Sequence, residues 1–156
     1  MKVLRAGILV VALAAGLALV PSAAPAPSPT APVAAVEQAL PLRTAAQYRQ
    51  DVLRAGRVLT AYARTLQRIA TSGTATAALR KRLRTQTLAF SRRLAAMRKY
   101  RVDAAGPERQ RRRLVGPRGR NLVQAMQRLN VAVGQRNAAA IARAAANLTA
   151  RVRAWR

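Results

Sequence analysis

Apolar residues recur at helical spacing along four stretches of the chain, and the first is the most regular. It places seven apolar side chains alternately four and three residues apart, which puts them along one side of a helix. These residues are Tyr48, Val52, Ala55, Leu59, Tyr62, Leu66 and Ile69. Thr44 with Gln47 resembles a capping box, and Gly73 can take the left-handed conformation that ends a helix. The pattern predicts a helix over about 45–71.

A second stretch has the same character over about 74–102. Its apolar positions are Leu79, Leu83, Phe90, Leu94 and Met97, with Thr87 filling a gap in the series. The turn before it is short, so the first two helices are expected to form an antiparallel hairpin.

Two shorter helices are predicted near the end of the chain, over about 121–133 and 138–155. The third helix carries Leu122, Met126, Leu129 and Val133 in line, and the fourth carries Ile141, Ala145, Leu148, Val152 and Trp155. Asn137 stands where it can cap the fourth helix. Trp155 completes the apolar series of that helix, so we expect it in the core.

The segment Asp103–Arg120 interrupts the helical pattern. The segment contains Gly106-Pro107, Gly116-Pro117 and Gly119, and it is rich in Arg. Glycine and proline in such pairs mark turns and loops. We therefore expect a basic connection with no more than one helical turn after Pro107. No stretch shows a competing strand pattern.

These elements predict an all-α domain over about 42–156. We expect an antiparallel four-helix bundle built from two helical hairpins that the basic connection joins.

The residues before this domain have a different composition. Lys2 and Arg5 precede the uninterrupted apolar run Ile8–Val20, which is typical of a secretory signal peptide and too short for a spanning helix. Small residues follow, so residues 1–24 are predicted to be a signal peptide. Residues 25–41 are rich in Pro and Ala, which indicates an extended, disordered spacer.

With the signal segment, the Pro/Ala spacer and the Arg/Ala-rich hairpins in place, the chain resembles small exported helical proteins of actinobacteria. The resemblance covers the whole chain and rests on composition and architecture. It implies export and a helical fold, and it implies no mechanism.

The composition excludes most catalytic chemistry. The chain has 29 Lys and Arg residues against four acids, no His and no Cys, and its formal net charge is +25. The acids Glu37, Asp51, Asp103 and Glu108 stand singly along the sequence. Acid–base catalysis and nucleophilic triads lack their usual residues, and zinc, iron and calcium sites lack their ligands. We therefore expect no catalytic residue, no cofactor and no metal, and a protein that is not an enzyme.

The Arg residues are the candidate binding groups, because guanidinium forms bidentate hydrogen bonds with phosphate and carboxylate. Two sets stand out. The basic connection contributes Arg109, Arg111, Arg112, Arg113, Arg118 and Arg120, and the polar side of the first helix contributes Arg54, Arg57, Arg64 and Arg68. The alternative interpretation of the first set is a solvated linker, and that of the second set is the ordinary solvent-exposed face of an amphipathic helix. Because Arg and Ala have GC-rich codons, part of the excess can also come from genome composition.

The sequence thus predicts that the protein is exported and is extracellular or associated with the cell envelope. It is expected to bind an anionic envelope polymer or surface through many Arg contacts. The candidate partners are wall polymer, phospholipid headgroups and extracellular nucleic acid. Two alternatives stay open: a sequence-independent nucleic-acid-binding protein, and a helical structural or interaction protein whose charge is incidental.

Overall fold

A computed structural model describes residues 40–155. The predicted signal peptide, nearly all of the predicted spacer, Glu37 and the terminal Arg156 lie outside the described residues.

The first helix, α1, spans Ala45–Ser72. Its predicted capping box is present: the Gln47 backbone amide donates to Thr44 Oγ1 over 3.2 Å, and the Thr44 amide donates to Gln47 Oε1 over 3.1 Å. At the other end, Gly73 has φ 68°, the left-handed conformation that glycine adopts without a steric penalty.

The second helix, α2, spans Ala77–Met97 and is shorter than the sequence predicts. Thr76 caps it, since its hydroxyl accepts from the Leu79 amide. Beyond Met97 the chain leaves the helix, and Arg101–Val102 form the short strand β2. The sequence did not predict this strand or its partner, β1, which spans Leu42–Arg43.

The two strands pair in parallel, with Leu42 opposite Arg101 and Arg43 opposite Val102. The Arg101 amide donates to the Pro41 carbonyl, and the Asp103 amide donates to the Arg43 carbonyl. This pairing joins the chain before α1 to the chain after α2. Two residues per strand are too few for an alternating pattern to appear in the sequence.

The predicted connection over Asp103–Arg120 is helical from Ala105 onward, which corrects the expectation of a loop. Helix α3 spans Ala105–Arg113, and a π-helical turn follows over Leu114–Arg118. The helical path breaks at Gly116, whose φ and ψ are −82° and −132°, because the residue before a proline avoids helical geometry. Pro107 and Pro117 thus lie in a helical path, the first within the opening turn where proline is tolerated.

Arg98 stabilises this break. Its Nε and one terminal nitrogen donate to the Val115 carbonyl over 2.9 and 2.7 Å. Val115 lies directly before the break at Gly116, so the side chain of Arg98 supplies hydrogen-bond donors to a carbonyl at the point where the helical path is interrupted.

Helix α4 spans Gly119–Gln135 and helix α5 spans Ala138–Trp155. Arg136 takes the left-handed conformation between them, with φ 55°. The predicted cap is present: the Ala140 amide donates to Asn137 Oδ1 over 3.0 Å.

The structure is all-helical apart from this short strand pair within the described residues. Helix α1 packs against α2, α4 packs against α5, and α2 also contacts α4. Most of the predicted apolar positions form the core, including Tyr48 at 1% exposure and Phe90 at 0%. The others, Val52, Leu66, Leu79 and Ala145, are partly buried and pack against it. Trp155 is buried and meets Phe90 edge-on, with 5.7 Å between ring centroids.

A polar chain crosses the core and links three helices. Tyr62 of α1 donates from its hydroxyl to Asn130 Oδ1 over 2.8 Å, and Asn130 of α4 donates to Thr87 Oγ1 of α2 over 2.9 Å. Thr87 in turn donates to the Leu83 carbonyl. Each member needs its neighbour, because an unpaired buried polar group is costly. The chain of bonds therefore specifies how α1, α2 and α4 align.

Gly119→Ala is predicted to destabilise the fold by about 2 kcal/mol, since overpacking has costs of this size. A Cβ at this position would overlap the Leu114 carbonyl oxygen and lie 2.8 Å from Leu94 Cδ1. Gly134→Ala in the same helix is the control, because a Cβ there meets nothing within 4 Å. Thermal unfolding followed by circular dichroism measures both variants. Equal midpoints for the two would contradict the close packing of α4.

Candidate anion-contact surface

The described carboxylates are gathered at one end of the fold. Asp51 is distant in sequence from Asp103 and Glu108, yet all three acids form hydrogen bonds to the strand pair or to the segment beside it. We call this region the polar junction; it comprises Arg43, Tyr48, Asp51, Tyr100–Asp103, Glu108 and Arg111. Its acids determine how much negative charge reaches the protein surface.

Glu108 is the most enclosed of these acids, at 8% exposure. One carboxylate oxygen, Oε2, accepts from the Val102 amide and from Arg111 Nε, both over 2.8 Å. The other, Oε1, accepts from an Arg111 terminal nitrogen over 2.6 Å and from Arg112 Nε over 2.9 Å. Arg111 also donates to the Met97 carbonyl at the end of α2. The pair therefore connects β2, α3 and the last turn of α2.

Burial by itself would raise the pKa of Glu108. The hydrogen bonds from Arg111, Arg112 and the Val102 amide outweigh it and lower the pKa from 4.5 to about 2. Glu108 is thus ionised in the folded protein under all but strongly acidic conditions.

Asp51 and Asp103 hold the other side of the junction. Asp51 Oδ2 accepts from the Tyr100 hydroxyl over 2.9 Å and from an Arg43 terminal nitrogen over 3.2 Å. Asp103 Oδ1 accepts from the Ala45 amide at the start of α1 over 3.1 Å, where negative charge also favours the helix dipole. Each carboxylate is engaged within the fold.

The phenols of the junction stay neutral. Burial raises the pKa of Tyr48, and burial followed by the hydrogen bond to Asp51 raises the pKa of Tyr100. Neither side chain therefore contributes negative charge at ordinary pH.

The structure divides the Arg residues that the sequence placed in the basic connection. Arg111 is 3% exposed and belongs to the polar junction, so it is not part of the surface. Arg112 is exposed, although its Nε donates to Glu108. The exposed remainder consists of Arg109, Arg113, Arg118 and Arg120. These groups lie on α3, the π-turn and α4, so a helical scaffold holds them where a flexible loop was expected.

The α1 candidates are all exposed, on the side opposite the buried seam. Arg54 pairs with Asp51 over 3.5 Å. Within residues 40–155, Arg57, Arg64 and Arg68 form no ion pair. They repeat at intervals of seven and four residues, which keeps them in one row along the helix.

Helix α2 adds a second set of exposed cations beside α1. Its members are Lys81, Arg82, Arg84, Arg92 and Arg93. We call the exposed cations of α1 and α2 the hairpin exterior. No exposed acid lies on either helix, because Asp51, the acid of α1, is partly buried in the junction.

The α4–α5 pair presents a different surface. A shallow groove of about 570 Å³ runs between these helices, lined largely by Ala and by side-chain amides. Arg128 and Arg143 are the cations on its lining. This side of the protein is less densely charged than the hairpin exterior and provides matched control positions.

The described residues hold no cluster of three or more acids that could bind a metal ion. None of their helices combines the length and hydropathy needed to cross a membrane. No protein-family model, curated protein or solved structure matches the chain.

Glu108→Gln is predicted to destabilise the fold by about 3 kcal/mol at neutral pH, because it leaves Arg111 buried without its counter-charge. The acid response should also change. In the native protein the Glu108 pKa is lowered, so its contribution is present above pH 4.5 and is lost as pH falls towards 2.

Urea unfolding at pH 7, 4 and 2.5 measures this effect. The variant should be less stable than the native chain at pH 7, and the difference should shrink at pH 2.5. A difference that stays constant across this range would contradict the ion-pair role of Glu108.

Proposed function

We propose that this protein is an exported, strongly basic helical protein that binds an anionic cell-envelope polymer or surface. Its contacts are many Arg side chains, and no covalent step is involved. The observation that supports this proposal most directly is the placement of charge. The acids Asp51, Asp103 and Glu108 are engaged in internal contacts, while Arg57, Arg64 and Arg68 face solvent unpaired within the described residues.

The proposed mechanism is multivalent charge neutralisation. Each exposed guanidinium can form a two-point contact with a phosphate or carboxylate and release bound counterions. A row on a rigid helix presents several such groups together, so the second and later contacts form at high effective concentration. Affinity should accordingly fall steeply with salt.

The architecture proposed for this display is an antiparallel bundle of two hairpins, α1–α2 and α4–α5. The short connections Gly73–Thr76 and Arg136–Asn137, and the packing of each helix on its neighbour, support it. In this arrangement each helix has an outward side that is free to carry charge.

Binding of nucleic acid remains the second candidate for the same surface, as a sequence-independent interaction with phosphates. Recognition through stacked bases is disfavoured, because Tyr62, Phe90, Trp155 and the two junction tyrosines are all 5% exposed or less. Proteins that read single strands place aromatic side chains on the surface for this purpose.

Replacing Arg57, Arg64 and Arg68 together by Gln is predicted to weaken binding to heparin, DNA and teichoic acid alike. The slope of log binding constant against log salt should become shallower by about 2 to 3, because each of the three Arg contacts releases close to one counterion when it forms. The matched control replaces Arg128, Arg143 and Arg151 by Gln, which removes the same charge from α4 and α5. Fluorescence titration at several salt concentrations measures both.

Equal weakening in the two triple variants would contradict a localised contact surface. It would mean that net charge alone determines the binding affinity. A native chain that prefers DNA at matched charge would favour the nucleic-acid alternative. A native chain that binds none of the three polymers at 0.15 M salt, where screening acts over about 8 Å, would refute the proposal and favour the interaction-protein alternative.

Export is a second expected outcome. Cells that express the chain should yield a shorter, processed form in the envelope fraction, and a high-salt wash should release it, because the proposed attachment is electrostatic. Immunoblotting of fractions with and without the wash measures this. Recovery of the unprocessed chain in the cytosol would contradict it.

A further inference from the structure

Two exposed leucines interrupt the cation rows of the hairpin exterior. Leu53 on α1 is 38% exposed and Leu88 on α2 is 51% exposed. A single exposed leucine is ordinary on a protein surface. Here the same arrangement occurs on two helices that pack against each other, and each leucine is placed among positive charges.

The arrangement is an Arg, a Leu and an Arg at four-residue intervals. On α1 it consists of Arg49, Leu53 and Arg57, and on α2 of Arg84, Leu88 and Arg92, with all six side chains exposed. Residues four apart lie on one side of a helix, about 6 Å apart along its axis. Each leucine is therefore flanked on its own side of the helix by two guanidinium groups.

We propose that the hairpin exterior docks on an anionic phospholipid surface, with Leu53 and Leu88 entering the headgroup layer. This inference rests on the proposed function and names the partner of the same surface. The four flanking Arg residues bind lipid phosphates, while their aliphatic stems and the leucines contact the adjoining apolar region. Interfacial helices combine Lys and Arg, which attract anionic lipids, with apolar side chains that enter the boundary between headgroups and acyl chains.

A soluble polyanion fits this pattern less well than a lipid surface. It satisfies the Arg residues but offers the leucines no apolar environment, whereas a bilayer interface offers both. A second copy of this chain also fits poorly, since its hairpin exterior would bring like charges together. Charge complementarity and the position of the leucines together favour lipid.

The absence of Cys from the chain allows a direct test. Leu53→Cys, Leu88→Cys and Val131→Cys are each made in the full chain and labelled with an environment-sensitive nitrobenzoxadiazole dye. Val131 is the control because it is 58% exposed on α4 and lies in the groove away from the hairpin. Vesicles of phosphatidylglycerol should shift the emission of the first two labels to the blue and increase it. The label at position 131 should not respond.

Phosphatidylcholine vesicles and soluble heparin distinguish three contributions to binding: the N-terminal apolar run, the Arg charge and the two leucines. The apolar run Ile8–Val20 is identical in all variants, so any binding that it causes is seen with the neutral vesicles and does not move the labels at positions 53 and 88. Heparin should bind without changing either label. The double variant Leu53→Ser/Leu88→Ser should bind phosphatidylglycerol vesicles on the order of tenfold more weakly, with unchanged heparin affinity. Val131→Ser should match the native chain in both assays.

Labels at positions 53 and 88 that remain in water while the chain is bound to phosphatidylglycerol vesicles would overturn the lipid proposal. Retained heparin binding in that case would leave the proposed function standing and identify a polymer as partner. Failure to bind both heparin and anionic vesicles would overturn the proposed function itself.

Discussion

The contact between Glu108 and Arg111 is the interaction on which the rest of the structure depends. The buried Glu108 carboxylate accepts a hydrogen bond from the Val102 amide, and the Arg111 guanidinium donates to the Met97 carbonyl. Arg112 donates to the other carboxylate oxygen of Glu108. One ion pair thereby fixes the end of α2, the strand pair and the start of the path through α3. A buried pair of this kind is tolerated only when hydrogen bonds satisfy both partners, as they do here.

The engagement of the acids in the polar junction has a consequence for the charge on the rest of the surface. Protein surfaces usually mix both signs of charge. In this chain, however, Asp51, Asp103 and Glu108 are all hydrogen-bonded within the polar junction. The hairpin exterior is left with guanidinium groups that repel one another and lack internal counter-charge. An external anion lowers that repulsion, so binding and stability should be coupled. The proposed function follows from where the acids lie more than from the number of Arg residues.

The sequence predicted the helical elements well wherever the apolar spacing was regular. The seam of α1, the Thr44 capping box, Gly73 and Asn137 follow from local chemistry that acts within a few residues. The helical path from Ala105 to Arg120 could not be predicted, because Gly-Pro pairs usually mark loops. Here Pro107 lies in a first turn, while Arg98, distant in sequence, supports the break at Gly116.

The same limit applies to the candidate site. Exposure of Arg57, Arg64 and Arg68 follows from their position opposite an apolar seam, so sequence reasoning could place them. Arg111 looked equivalent to its neighbours, and only its three-residue spacing from Glu108 marked it as a partner for a carboxylate. Its burial depends on β2 and the end of α2, which are tertiary features. The sequence did not mark Leu53 and Leu88 as candidate contact residues, because their exposure beside the Arg residues is known only from the structure.

Nuclear magnetic resonance of the Arg Nε–H groups distinguishes the Arg side chains bound inside the fold from those free to bind an anion. The Nε–H of Arg111 should exchange slowly and should not shift with added heparin or salt, because that group is buried against Glu108. Arg57, Arg64 and Arg68 should exchange rapidly and shift when the anion is added. Rapid exchange at Arg111, or an anion-induced shift there as large as in the α1 row, would contradict the division between internal and external charge.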